Sequence, residues 1–179
     1  MTTLALDLGQ HIGWCIGGSV GPIFCGSIEL PQTTDLGKWL IGATPPLTAL
    51  VRSGVRDHGV RDIAVEQPFL GESYYPARKL LALLGKVYEV AGYQGIAGQH
   101  VNEIPVPTAK KALAGHGQAD KEMMIAAAIK IWGFEEDELD EHSADASGIL
   151  YVHIFGEAPA ARKKPKTGKG VSILRGPAR

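Results

Sequence analysis

Cysteine is scarce in this sequence: Cys15 and Cys25 are the only two in 179 residues. That number is too few for the disulfide framework of a small secreted domain, and the expectation is two small core residues in a reduced, cytoplasmic setting. No Cys-His cluster stands near either one, which argues against zinc. Long apolar runs are also missing. The longest, Met123 to Ile129, has seven residues, against roughly 20 for a spanning helix. The opening Met1-Thr2-Thr3 lacks the basic start of a signal peptide, and Asp7 interrupts the first apolar stretch. No internal repeat is visible, and no excess of one charge sign: 18 Lys and Arg face 19 Asp and Glu. With 45% hydrophobic and 21% charged residues, the chain has the composition of one globular domain with a core of its own.

The balanced charge hides an asymmetry. Residues 1–161 carry 11 basic and 19 acidic side chains, whereas 162–179 carry seven basic ones and no acid. An acidic body with a basic tail is a pattern found in polyanion binders, and equally in solubilising termini. The expected division is a folded unit over 1–160 and a basic tail over 161–179.

Three apolar stretches open the chain: Thr3 to Leu8, Ile12 to Ile16 and Ile23 to Leu30. Gly-rich turns separate them, which predicts an antiparallel meander. Residues 35–57 read as a helix that Pro45-Pro46 should kink or split. Arg61 to Glu66 reads as a buried strand ending on a carboxylate, followed by the loop Gln67 to Tyr75 and a long helix over 76–98. The apolar positions of that helix cover more than one face, which predicts burial on the sheet and against a second subunit. A strand from His100 to Pro105 and helices near 107–114, 119–133 and 141–156 complete the chain. The order describes a mixed α/β sheet.

Asp7, Glu66 and Asp145 are the informative acids. By period-2 alternation Asp7 shares a face with Thr3 and Ala5, opposite the leucines. Glu66 ends a central strand. Asp145 lies among small residues on a helix, with His142 three residues earlier on the same face. Carboxylates in apolar settings are costly unless neutralised. Three of them with one imidazole suit Mg²⁺ or Mn²⁺, and two such ions about 4 Å apart can support phosphodiester cleavage.

In sequence order these residues resemble the RuvC-type Holliday-junction resolvases. Asp7-Leu8-Gly9 with Gly13-Trp14 is similar to that family's first-strand motif, and Val65-Glu66-Gln67 with Phe69 to its second. Lys110 and Lys121, eleven residues apart around Gly115-His116-Gly117, are similar to its lysine–glycine segment. His142-Ser143-Ala144-Asp145-Ala146 resembles its closing helix. Together the motifs span about residues 4 to 155.

The resemblance implies a ribonuclease-H-like, mixed five-stranded sheet with helices on both faces. It also implies a homodimer, without membrane attachment, that binds four-way DNA and makes symmetric paired nicks with 5′-phosphate and 3′-hydroxyl ends. Asp7, Glu66, His142 and Asp145 become expected metal ligands for two Mg²⁺ or Mn²⁺ per subunit. Lys121 joins them as a catalytic residue that stabilises transition-state charge. Phe69 is expected to wedge into the junction, with Lys110, Lys111, Lys121, Tyr74 and Arg78 as further DNA contacts. Many members carry Asp where this chain has His142. One less negative charge predicts weaker Mg²⁺ affinity and a relative preference for Mn²⁺; His142 is either a ligand or the group that deprotonates water. A broader branched-DNA nuclease and a catalytically weakened junction binder are the alternatives. A sugar-kinase or actin-like fold also opens on Asp-Leu-Gly, but it needs duplicated lobes and more residues than this chain has.

Overall fold

The computed structural model describes residues 1–20, 23–68 and 74–156. Five strands form one sheet: β1 (Thr2–Asp7), β2 (His11–Gly17), β3 (Phe24–Glu29), β4 (Val60–Glu66) and β5 (Val101–Ile104). Their order is β3-β2-β1-β4-β5. The first three pair antiparallel, as the Gly-rich turns predict, and β1–β4 and β4–β5 pair parallel. Five helices connect and cover them: α1 (Leu36–His58), α2 (Tyr74–Tyr93), α3 (Val106–Ala114), α4 (Lys121–Trp132) and α5 (Glu141–Phe155). Among the described residues no helix is long and apolar enough to cross a membrane.

The two faces of the sheet are built differently. On one, Leu4, Leu6, Ile12, Ile16, Ile63 and Val65 interleave with Trp39, Leu47, Val51, Leu83 and Val87 of α1 and α2. On the other, small side chains fill the middle of the sheet: Ala5, Cys15 and Ala64 meet Ala146, Ile149 and Leu150 of α5. Period-2 alternation produces both surfaces from the same strands. The small-residue face lets α5 lie close to the sheet.

Two expectations change. The prolines do not split α1, which runs unbroken through Pro45 and Pro46. Pro45 stands on the exposed side, and Ile41, whose carbonyl loses its helical donor to Pro45, is 74% exposed. Water can serve that acceptor, while the hydroxyls of Thr44 and Thr48 donate to the carbonyls of Leu40 and Thr44 at 2.7 Å. The cysteines are not free core thiols, because Cys15 and Cys25 stand directly opposite in the β2–β3 register and are joined as a disulfide. The breadth of the apolar surface on α2 is mostly spent within the subunit. Leu83, Leu84, Val87, Val90 and Ala91 are buried in the α1–α2 core, and Leu81 and Tyr88 stay exposed.

Candidate active site

Parallel pairing brings the first two acids together. Leu6 is in register with Val65, so the next residues, Asp7 and Glu66, end neighbouring strands side by side. Alternation turns both toward α5. The helix start is then laid over β2 by a specific vacancy. A Cβ on Gly13 would stand 2.0 Å from the His142 carbonyl oxygen, so only glycine admits the backbone there. Asp140 caps α5, accepting from the Ser143 backbone N–H at 2.7 Å, while the Ser143 hydroxyl accepts from the Asp140 N–H at 2.9 Å. Ser27 on β3 donates to the Asp140 carboxylate and ties this cap to the sheet. The result sets Asp145 and His142 above the strand ends.

Asp7, Glu66 and Asp145 line a cavity of about 110 Å³ with Val106, Ala109, Lys110 and Ile149. Burial raises Asp7 well above the ordinary carboxylate range. A hydrogen bond with Glu66 and that residue's charge add to the rise, and His142 and Lys110 oppose it. Asp145 is pushed up to about 6, first by burial and then by the charge of Asp7. Its Oδ1 is buried without a hydrogen-bond partner. Crowded oxygen donors with an unsatisfied buried oxygen fit a hard divalent cation. The ligand set is not closed, however: among the described residues no three His, Cys, Asp or Glu side chains form a group placed to hold one ion. A larger, mostly apolar cavity of about 600 Å³ lies between Leu8, Trp39 and Leu80. Among the described residues no carboxylate lines it, whereas three line the smaller one.

His142 sits at the edge of the acid cavity, its Nδ1 4.0 Å from Asp7 Oδ2. Lys110 reaches into the cavity wall and donates to the Ala119 carbonyl at 3.0 Å. Lys111 is exposed on α3. Lys121, the first residue of α4, is ion-paired with Glu141. Tyr74 begins α2, 71% exposed. The Arg78 guanidinium lies 6.0 Å from the Tyr74 ring centroid and lines the apolar cavity. Phe69 falls outside the described residues.

Two neighbours of the site were absent from the sequence-based set. Glu141 touches both Lys121 and His142, with its Oε1 3.4 Å from His142 Nε2. It was hidden within the acidic run 135–141, although adjacency to His142 was a signal. The His11 ring lies against the His142 ring, centroids 4.7 Å apart. The alternation that places Gly13 and Cys15 under α5 places His11 there too.

No family model matches the chain. It is 26% identical over 139 residues to the crossover junction endodeoxyribonuclease RuvC of Corynebacterium diphtheriae, covering 78% of this chain and 81% of that protein. It is 34% identical over 93 residues to the enzyme of the same name from Thermus thermophilus, covering 52% of this chain and 54% of that one. Among solved structures, T. thermophilus RuvC in complex with Holliday junction substrate matches with a TM-score of 0.69 and 25% identity, over 86% of this chain and 92% of that one. The yeast mitochondrial Holliday junction resolvase Ydc2 shares the fold, with a TM-score of 0.51, 10% identity, and coverage of 83% and 77%. The strand order, the acids at the strand ends and on α5, and these matches make the chain similar to the RuvC-type resolvases in both sequence and fold.

Proposed function

We propose that this chain is a divalent-metal-dependent endonuclease that resolves four-way DNA junctions by symmetric paired nicks, leaving 5′-phosphate and 3′-hydroxyl ends. The observation that carries the reading is the meeting of Asp7, Glu66 and Asp145, from three separate elements, around one cavity. The likeness to a RuvC bound to a Holliday junction supports the substrate.

Asp7, Glu66 and Asp145 hold the cations, Mg²⁺ or Mn²⁺ and two per subunit, with His142 as a fourth ligand or as the base that takes the proton from water. Bound there, the metal supplies Lewis-acid activation of water and stabilises the leaving oxygen. Lys110 offers its ammonium to the phosphate beside the acids, and Lys121 adds positive charge from the start of α4. Phe69 serves as the apolar wedge at the junction centre, and Tyr74, Arg78 and Lys111 contact the DNA around it. The chain works as a homodimer, because two like sites related by a two-fold suit a two-fold junction. The exposed Leu81 and Tyr88, seven residues apart on one side of α2, are the surface assigned to that contact. The site of action is the cytoplasm, and residues 161–179 act as a basic DNA arm.

The test is a nicking assay on a synthetic four-way junction beside linear duplex and a Y-fork, in Mg²⁺ and in Mn²⁺. Paired, symmetric cuts on the junction that vanish with Asp7→Asn are the expected result. Equal cutting of forks replaces it with a branched-DNA nuclease. Tight binding without a metal-dependent cut replaces it with a junction-binding protein.

A further inference from the structure

We propose that His11 is a positioning residue for the metal site: its ring backs the His142 imidazole and holds it with Nδ1 turned toward Asp7. The inference rests on the proposed metal site and deepens it.

Three contacts define how the His142 ring is held, and the strand below sets its base. One ring face meets His11, with centroids 4.7 Å apart and planes inclined by 35°, within the range of offset aromatic pairs. Nδ1 is 4.0 Å from Asp7 Oδ2. Nε2 is 3.4 Å from Glu141 Oε1. The helix start lies so close to Gly13 in the strand below that a Cβ added there would stand 3.0 Å from His142 Cβ. With Nε2 turned to Glu141, Nδ1 is the nitrogen available to a cation beside Asp7.

The backbone that carries His11 is well anchored. It opens β2 opposite Glu29, and its Nε2 lies 3.9 Å from Glu29 Oε1. The preceding Gln10 fixes the turn. Its backbone carbonyl accepts from Leu30 N–H at 3.0 Å, and its side-chain amide donates to the Leu30 carbonyl at 2.6 Å. A ring carried on this fixed stretch of the sheet therefore backs a ring on the helix. An imidazole at the start of a helix has several rotamers open to it, and a ligand held in one of them loses less entropy on binding. The contribution needs only the flat ring of His11 and not its charge, so another aromatic side chain should replace it.

The probe is Mn²⁺ binding to the full chain without DNA, followed by the electron paramagnetic resonance signal of the free ion. His11→Ala is expected to weaken binding roughly two- to tenfold. His11→Phe should stay within about twofold of the wild type, and His11→Leu should follow His11→Ala. Thermal melting of the metal-free variants identifies any that fails to fold, and the Leu–Phe pair then carries the comparison. On histidine labelled with ¹⁵N, substoichiometric Mn²⁺ should broaden His142 Nδ1 more than Nε2, and this selectivity should fade in the variants lacking a ring. Wild-type binding by His11→Ala and His11→Leu, failure of His11→Phe to restore it, or stronger broadening of Nε2 overturns the inference alone. Absence of any Mn²⁺ binding that depends on Asp7 overturns the metal site itself, and the inference with it.

Discussion

Asp145 stores a pH dependence whose sign follows from its surroundings. Its folded-state value of about 6 lies above the ordinary 3.8, because burial and the charge of Asp7 disfavour ionisation. Between those two values the folded chain binds more protons than the unfolded chain, so stability falls as pH rises through the window and levels off above it. Asp7 is shifted in the same direction. The metal-free protein should therefore show a melting temperature that declines from about pH 4 to beyond pH 6. Asp145→Asn should flatten this decline and raise the melting temperature near neutrality, and Mn²⁺ should stabilise the wild type most where the acids are ionised. Calorimetric scans across pH, with and without Mn²⁺, check both signs. If the proposed metal site carries the reaction, Asp7→Asn should lower the cleavage rate on the order of a hundredfold or more. His142→Asp restores a negative charge, so the rate with Mg²⁺ relative to Mn²⁺ should rise, as read from initial rates on a four-way junction.

Helix α5 is the element that turns two strand ends into a site. It brings both His142 and Asp145, and it can do so because β2 offers glycine where the helix start crosses. Gly13→Ala would put a methyl group 2.0 Å from the His142 carbonyl oxygen. The helix start must shift, at a cost of about 1–3 kcal/mol, and urea unfolding should register that loss together with weaker Mn²⁺ binding. The other element with a consequence is α2. Most of its apolar positions serve the subunit's own core, and Leu81 and Tyr88 remain outside it. Replacing both with lysine should leave the melting temperature of the subunit nearly unchanged and shift the proposed dimer to monomer in light scattering. An unchanged mass would remove α2 from the dimer contact.

For the whole molecule the governing feature is the separation of charge along the chain, with an acidic body and seven basic residues in its last 18. Phosphate binding by such a segment is driven by counterion release and depends steeply on salt. Truncation after Ala161 should weaken DNA binding and reduce its salt dependence, with less effect on turnover when DNA is saturating. Equal salt slopes for the full and shortened chains would assign the DNA affinity to the body. Much of the body's plan was legible in sequence because it rests on local patterns. Alternation placed Asp7 opposite Leu6 and Leu8, and the Gly-rich turns marked the meander. The disulfide was less legible, since it depends on the register that sets Cys15 against Cys25 across two strands.

From sequence alone came the acids, their order, the strand end that carries Glu66, the strand face that carries Asp7 and the helical spacing that pairs His142 with Asp145. Each of these follows from periodicity within a single element. Tertiary structure decided which other side chains join them. Lys110 enters the acid cavity while Lys121 pairs with Glu141, and His11 meets His142 across 131 positions of chain. The crossing of α5 over Gly13 sets these contacts, and no period within one strand or helix encodes where another element will cross it.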